Sequence, residues 1–367
     1  MKKRILAVLL ASCIMFTFLA ACGGGGGGQS NTPAGDDMDL DTALETMDTV
    51  NLNWAISLGS SHRANDIFQY FADEVKERTN GKVNINLYPG DTLVTSNSIY
   101  DSLVQGIVDM GEADPAYSVA AFPMCSALFL PNMNFANSVV STYVADEFFT
   151  TSDLPEFDRA HFLFAFGMSP SIIFGNREVK SLADFSGMQI RATGFAIDVV
   201  EGLGASAVGI TPAETYEALL KGTADAALMP AEALLNWNFA EVCDYACKVT
   251  GLSTSFHYVA INSEKWNALP TAVQQVMEEV ADECVEQIST LWDEMGEEGY
   301  AYAAEHDTVI YEMSADAQAE CLDALTGVVD NWVEDYTAQG HDAQGTLDYL
   351  QGLIDKYNGE YADYQEE

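Results

Sequence analysis

Residues 188–228, MQIRATGFAIDVVEGLGASAVGITPAETYEALLKGTADAAL, decide the fold because short apolar runs alternate with helical patterns along them. The pattern predicts a strand, a helix, a strand, a helix and a strand, at Met188–Arg191, Phe195–Leu203, Ser206–Ile210, Pro212–Lys221 and Ala224–Leu228. The second helix has a clear start, because Thr211 and Glu214 form a capping box around a proline at the first helical position. This alternation is typical of a parallel sheet with helices on its faces.

The stretch from Val50 to Met110 repeats the same order of elements. Its predicted strands are Val50–Ser57, Val83–Leu87 and a short run near Met110, and the helices between them carry one apolar face each. Two such α/β units predict an α/β protein with two lobes. A chain of 367 residues is long enough to give each lobe its own core.

A third feature follows the predicted strand Phe256–Asn262. After Pro270 the chain has no further proline and its first glycine is Gly296, while apolar residues mark a single helical stripe. One helix over this stretch would span about 50 Å, more than the diameter of one lobe. It would therefore brace both lobes, unless it is two helices broken near Gly296. A last strand and helix are predicted at 307–313 and 315–333.

Charge excludes some classes of function. The chain carries 15 Lys and Arg against 56 Asp and Glu, a formal net charge of −41. Such a field repels phosphate backbones and anionic lipid head groups, which argues against nucleic-acid binding and against a polybasic membrane association. It also makes any buried arginine conspicuous.

The N-terminal residues predict export. Residues 1–21 begin with Lys2-Lys3-Arg4 and continue as an apolar run too short for a spanning helix, which is typical of a signal peptide. The run ends in small residues before Cys22 and resembles the lipobox of bacterial lipoproteins, in which the cysteine carries the lipid. Residues 22–49, which begin with a glycine tract, are predicted to form a flexible tether. The alternatives are an uncleaved anchor or an ordinary signal peptide with a chance cysteine.

Motifs for catalysis are missing from the sequence. It contains no G-x-S-x-G, H-E-x-x-H or P-loop motif, and its five histidines have no metal-ligand spacing. Cys243 and Cys247 are predicted to lie one turn apart on a helix, with no second pair nearby to complete a zinc site. We therefore expect no enzymatic activity, no metal and no cofactor.

Arg191 is a candidate ligand-binding residue because of its position at the end of a strand. It ends a predicted strand and is followed by Ala-Thr-Gly before the next helix. In open α/β sheets, ligands bind beyond the carboxyl ends of strands, and a guanidinium there matches a carboxylate. The alternative is a salt bridge at the surface or between the lobes.

Five motifs in order give a family resemblance. Residues 50–335 resemble the solute-binding subunit of tripartite ATP-independent periplasmic (TRAP) transporters. The segment from Asp184 to Arg191 matches the family's D-x-x-G-x-x-x-R pattern. The other matching segments are FADEVKERTNGKV at 71–83, ETYEAL at 214–219 with GTAD at 222–225, FAEV at 239–242 and WNALP at 266–270.

The resemblance implies a receptor with a two-lobed periplasmic-binding-protein-like fold that captures a small organic acid and passes it to a membrane permease. The family's carboxylate-binding arginine falls on Arg191. Its other pocket positions fall on Ser57, Asp114, Tyr117, Ser171, Pro212 and Met229. Wall or core packing remains the alternative for each of these.

Two departures from the family pattern affect the expected ligand. Ser171 stands where sialic-acid-binding members have a second arginine, and Met229 stands where many members have an asparagine. With Tyr117 and Trp237, Met229 would make the pocket more apolar, and Asp114 could accept a hydrogen bond from a hydroxyl or an amine. We therefore expect a ligand less charged than a sialic acid.

The expected domain limits complete the prediction. Lobe I comprises residues 50–168 and 255–294, lobe II comprises residues 169–254 and 295–357, and residues 358–367 form an acidic tail. The alternatives are an ABC-type solute-binding lipoprotein, an exported hydrolase or a surface adhesin. An ABC-type protein would have a hinge of crossing strands without the long helix.

Overall fold

The structure, a computed structural model, describes residues 39–362 and residue 364, so the predicted signal peptide and Cys22 lie outside the described residues. In chain order the helices and strands of this part are α1 Leu40–Thr46, β1 Val50–Ile56, α2 Ala64–Arg78, β2 Val83–Pro89, α3 Ile99–Val104, β3 Met110–Ala113, α4 Ser138–Thr151, β4 Ala160–Gly167, β5 Ile172–Gly175, β6 Gln189–Arg191, α5 Ala196–Gly202, β7 Ser206–Val208, α6 Pro212–Lys221, β8 Ala226–Met229, α7 Ala233–Asn236, β9 Tyr245–Lys248, β10 Phe256–Asn262, α8 Ser263–Asn267, α9 Thr271–Glu305, β11 Val309–Glu312, α10 Ala315–Ala324, α11 Thr326–Ala338 and α12 Ala343–Tyr361. Short 3-10 turns connect several of them.

The strands form two mixed sheets. The first has the order β2-β1-β3-β10-β4, in which β1 runs parallel to β2 and β3, while β10 runs antiparallel to β3 and β4. The second has the order β11-β9-β5-β8-β6-β7, in which β6 runs parallel to both β7 and β8. The predicted α/β class with two lobes is confirmed.

Each sheet has an apolar core on both faces because its buried strands are apolar along most of their length. In β1, for example, Trp54 and Ile56 belong to the core on one face, whereas Ala55 belongs to the core on the other. The second sheet is packed in the same way, with Ile190 and Ala227 in cores on opposite faces. Burial on both faces fixes the strand register and so the positions of the strand ends.

The long helix is confirmed as one element. Helix α9 runs without a break from Thr271 to Glu305 and so passes Gly296. Its first half packs on α2, α4 and β4 beside the first sheet, and its second half packs on α7 and β11 beside the second sheet. Its continuity is the feature that the ABC-type alternative lacks.

Two predicted flexible segments are partly wrong. Residues 40–46, which were assigned to the tether, form α1, because Asp39 caps the helix and Leu44 packs into the core that contains α9. The predicted acidic tail begins inside α12, whose Tyr361 stacks on Tyr143 with ring centroids 5.0 Å apart. In both segments, apolar side chains that pack on the lobes keep an acidic stretch helical.

The C-terminal helices differ from the prediction in number and place. The predicted helix at 315–333 is two helices that meet at Leu325, since Cys321 packs into a core of the second sheet and Trp332 into a core of the first. Helix α12 also packs on the first sheet's side, against α4. The predicted limit that places residues 343–357 in lobe II is therefore wrong, while the other lobe limits remain a prediction.

Candidate functional site

The candidate site lies where strands of both sheets end. In the first sheet, β1 and β3 run parallel and end just before Ser57 and Asp114. In the second sheet, β6 and β8 run parallel and end at Arg191 and Met229. The carboxyl ends of parallel strands are where open α/β sheets bind ligands.

The loops that follow these strands touch each other. Gly194, three residues after Arg191, has a φ of +54°, and a Cβ atom built on it would lie 2.6 Å from the Cβ of Ala116. The next residue, Phe195, packs on Phe129 with ring centroids 4.9 Å apart. The two lobes are therefore in contact beside Arg191, and this contact requires glycine at position 194.

Arg191 is a buried cation with free hydrogen-bond donors. Arg191 is 4% exposed, and its Nε donates to the carbonyl oxygen of Ile210 at 3.1 Å. Its Nη1 and Nη2 atoms form no hydrogen bond or ion pair with the residues that the structure describes. Burial lowers the pKa of Arg191 to about 10, although Tyr117 and Asp114 nearby oppose the shift. A buried charge without a partner is costly, so this geometry favours an anionic ligand.

Asp114 and Tyr117 face Arg191 from the other lobe. Asp114 is 8% exposed and caps a 3-10 turn, its Oδ1 accepting the backbone N–H of Ala116 at 2.7 Å. Its Oδ2 and the hydroxyl of Tyr117 have no hydrogen-bond partner within the described ranges. Burial raises the pKa of Asp114 to about 6, although His257 and Arg191 nearby oppose the shift, and burial also raises the pKa of Tyr117.

Sequence reasoning missed a buried polar network behind Asp114. Glu112 is fully buried in β3 and accepts hydrogen bonds from the backbone N–H and the hydroxyl of Ser57, at 2.9 and 3.0 Å. It also bonds Nδ1 of His257 on β10. Burial alone would lower the pKa of His257, but the Glu112 carboxylate raises it above its usual value. The sequence signal that could have revealed this network is Glu112, a carboxylate within an otherwise apolar strand.

His62 and Trp292 extend this network toward α9. Their rings lie 4.9 Å apart, and Nδ1 of His62 accepts the backbone N–H of Ala64 at 3.1 Å. Burial lowers the pKa of His62 to about 4, so its ring is neutral at pH 7. The indole N–H of Trp292 is buried without a hydrogen-bond partner among residues 39–362.

The remaining predicted positions divide into two groups. Ser171 and Met229 are buried at the same edge of the second sheet, since Met229 pairs with Ile172, and Pro212 begins α6 two residues after Ile210. Trp237 is 40% exposed and stacks on Phe239, and no hydrogen bond, ion pair or ring contact within the described part joins it to Arg191. For all four residues, contact with a ligand stays a prediction.

Two further observations concern metals and membranes. Within residues 39–362 and 364, no three His, Cys, Asp or Glu side chains are grouped so that they could hold a metal ion. The predicted helix that carries Cys243 and Cys247 is wrong, because Cys243 follows a 3-10 turn and Cys247 lies in β9.

None of the described helices combines the length and the apolar character that a membrane crossing requires.

Two α/β lobes, one helix that braces both and a buried arginine at their interface define the class of two-lobed binding proteins. The chain belongs to the bacterial extracellular solute-binding proteins, family 7, whose model matches residues 55–335. The resemblance to TRAP solute-binding subunits is thereby confirmed. The match begins near the end of β1, covers the other ten strands and ends within α11.

Solved structures agree with this assignment. The fold is similar to that of a TRAP periplasmic solute-binding protein from Desulfovibrio salexigens, with a TM-score of 0.77 and 28% identity over 85% of this chain and 97% of that chain. It is also similar in fold to a TRAP solute-binding protein from Rhodoferax ferrireducens in complex with benzoate, with a TM-score of 0.78 and 23% identity over 85% and 99% of the two chains.

Curated relatives match this chain over part of their length. A monocarboxylate 2-oxoacid-binding periplasmic protein of Nostoc sp. is 24% identical over 245 residues, which cover 61% of this chain and 62% of that protein. Across the curated relatives that it matches, the chain spans between 43% and 66% of their length.

Proposed function

We propose that the protein is a receptor that captures a small organic carboxylate on Arg191 and delivers it to a TRAP-type membrane permease. The observation that carries the proposal is the Arg191 guanidinium, which is buried but has no partner among the described residues for Nη1 and Nη2. A carboxylate matches this planar fork, and each charge-assisted hydrogen bond contributes about 1.5–3 kcal/mol.

Capture proceeds by closure of the lobes. The solute carboxylate binds Arg191 on the second sheet, while Asp114 and Tyr117 contact the solute from the first sheet. Ser57 supports the first sheet's wall through its bonds to Glu112 rather than by a free hydroxyl. A solute that touches both lobes stabilises the closed form by the difference between its affinities for the closed and open forms.

The remaining wall is mostly apolar in this proposal. Met229 and Pro212 pack against the solute, Trp237 covers it from the exposed side, and Ser171 offers no second cation. A sialic acid is therefore disfavoured. The benzoate complex of the Rhodoferax protein and the 2-oxoacid specificity in the name of the Nostoc protein support a ligand with a carboxylate.

The receptor acts outside the cytoplasm and is anchored by lipid on Cys22. The family description as extracellular supports this location. Metabolic labelling with a palmitate analogue is expected to label the full chain and not the Cys22→Ser variant. Equal labelling of both would remove the anchor from the proposal.

A hydrolase is not favoured by the geometry around Ser57. A serine nucleophile needs a base, usually an imidazole, within hydrogen-bond reach of its hydroxyl. The Ser57 hydroxyl donates instead to Glu112, whose other oxygen bonds His257. The arrangement holds the serine in place and does not activate it.

The proposal is tested by titrating the full chain with a panel of acids (benzoate, lactate, pyruvate, succinate and pyroglutamate) and measuring affinity by calorimetry. Arg191→Ala is expected to weaken the acids that bind by at least about 30-fold, since a buried charge pair loses one partner. Arg191→Lys tests whether the fork matters beyond the charge. Arg177→Ala is the control, because Arg177 lies on the surface with only a 3.7 Å ion pair to Asp225. Equal affinity of wild type and Arg191→Ala would refute the proposal.

A further inference from the structure

Arg191 and Asp114 carry opposite charges, lie in the same closed interface and yet form no ion pair with each other. Both residues are more than nine-tenths buried. The loops that follow them touch at Gly194 and Ala116, but none of the ion pairs of the described residues includes either of them. Each of these two buried charges therefore still requires a partner, and one group bound between the lobes would supply both.

The free atoms define what that group must offer. On one side, Nη1 and Nη2 of Arg191 are donors that require an acceptor. On the other side, Oδ2 of Asp114 is an acceptor when the carboxyl is ionised, and its only fixed neighbour is the N–H on Oδ1. A solute between them must therefore present a carboxylate to Arg191 and a hydrogen-bond donor to Asp114.

The site offers no cation for a second carboxylate of the solute. The other basic group near Asp114 is His257, whose Nδ1 already bonds Glu112. His62 is neutral, and its Nδ1 already accepts the N–H of Ala64. A second solute carboxylate would face Asp114 and Glu112 without a cation of its own, which disfavours a dicarboxylate.

Building on the carboxylate-binding function proposed above, we propose that Asp114 is the specificity-determining residue of the site and that the solute is a monocarboxylic acid with a hydrogen-bond donor. The donor is a hydroxyl, an amide N–H or an ammonium group, placed so that one molecule reaches both Arg191 and Asp114. Tyr117 adds a hydroxyl on the same wall, whose own partner is absent among the described residues.

Charge distinguishes the two kinds of donor. With Arg191 balanced by Asp114, a zwitterion such as an amino acid adds no net charge to the closed site. A hydroxy acid adds one negative charge, and its hydroxyl donates to the ionised Asp114.

The test uses matched acids that differ only in the donor, at pH 8 with the full chain. The pairs are lactate and propionate, mandelate and phenylacetate, 3-hydroxybenzoate and benzoate, with alanine against propionate as the ammonium arm. The acid with the donor is expected to bind about 10- to 100-fold more tightly in the pair that fits the site. Calorimetry measures the affinity for both acids of each pair.

Asp114→Asn is the decisive variant, because it keeps the shape and the cap on Ala116 but removes the charge. It is expected to reduce the ratio within the pair to about threefold or less. Asp114→Ser, which also retains a capping oxygen, repeats the measurement if the asparagine variant has a lowered melting temperature.

The outcomes separate this inference from the proposed function. If acids bind through Arg191 but the ratio within every pair is near one, or Asp114→Asn leaves the ratio unchanged, the role of Asp114 is refuted while the carboxylate receptor stands. If succinate binds more tightly than every monocarboxylate, the inference is also refuted. If no acid binds the wild-type chain, both proposals fall together.

Discussion

Glu112 and His257 form a hydrogen bond between the neighbouring strands β3 and β10, and both side chains are almost completely buried. The same carboxylate holds the N–H and the hydroxyl of Ser57, which follows β1. One buried charge pair thus ties together three strands of the first sheet directly behind Asp114. Such a pair is costly to break, because removing one partner leaves the other charge buried alone.

Glu112→Gln is expected to destabilise the fold in a pH-dependent way. In the wild type, the pKa of His257 is raised above its usual value of 6.5, so its contribution to stability is fully present below about pH 6.5 and is lost as the pH rises through the folded-state pKa. In the variant, burial without the carboxylate keeps His257 neutral. The melting temperature should therefore fall more at pH 5.5 than at pH 9, with a loss of about 3 kcal/mol at the lower pH.

The control for this prediction is Glu217→Gln, which changes the same groups in an exposed pair with Lys221 on α6. It should alter the free energy of unfolding by less than about 0.5 kcal/mol at either pH. A loss in Glu112→Gln that is the same at pH 5.5 and pH 9 would contradict the assigned charge on His257.

Much of this architecture could be predicted because it depends on local sequence patterns. The alternation of strands and helices, the capping box at Thr211 and the uninterrupted stripe of α9 each follow from neighbouring residues, and each is confirmed. Arg191 could be selected because a cation at a strand end is rare in so acidic a chain. Its burial and its free Nη atoms depend on the other lobe and could not be predicted.

The features that sequence reasoning missed depend on contacts between distant segments. Glu112 and His257 are 145 residues apart, and no local pattern links them. Residues 40–46 continue the predicted tether after the glycine tract, yet Leu44 packs into the core that contains α9, far along the chain. Cys243 and Cys247 have helical spacing, but pairing of β9 with β5 and β11 overrides it.

Helix α12 should be essential for stability, although its last residues fall within the predicted acidic tail. Leu350 of α12 is fully buried in a core of the first sheet, so Leu350→Ala is expected to cost about 2–5 kcal/mol in the free energy of unfolding. The matched control is Leu220→Ala, since Leu220 is 57% exposed and should cost less than about 0.5 kcal/mol. Chemical unfolding followed by circular dichroism measures both, and equal losses would show that α12 does not contribute to the core.

Gly194→Ala should weaken capture rather than folding. The new methyl group would meet Ala116 across the lobe interface, so it destabilises the closed form, in which the two loops touch. Affinity for whichever acid of the panel binds the wild type is expected to fall about 10-fold or more, and small-angle scattering should show a larger radius of gyration with that acid present. The radius of the unliganded variant should match the wild type if the open form is unchanged.

Gly187→Ala is the control for Gly194→Ala because it introduces the same kind of backbone strain without a contact between the lobes. Gly187 also has a positive φ, +74°, but an added Cβ meets nothing within 4 Å. This variant should lose about 1 kcal/mol of stability and keep its affinity. If both variants lose affinity equally, the contact between Gly194 and Ala116 is not part of closure.

The two glycines of α9 should respond in opposite directions to alanine, because only one of them is a packing requirement. A Cβ on Gly299 would overlap the carbonyl oxygen of Ala231, which belongs to the backbone leading into α7, so Gly299→Ala must push the helix away from the second lobe. A Cβ on Gly296 would lie 3.9 Å from its nearest neighbours, the Ala231 methyl and the Ser169 hydroxyl, which is ordinary contact. Since alanine is favoured over glycine inside a helix by about 1 kcal/mol, Gly296→Ala should stabilise the protein by up to that amount, whereas Gly299→Ala should destabilise it by about 1–3 kcal/mol. Thermal unfolding of the two single variants decides the matter, and a stabilised Gly299→Ala would mean that α9 does not pack tightly on the second lobe.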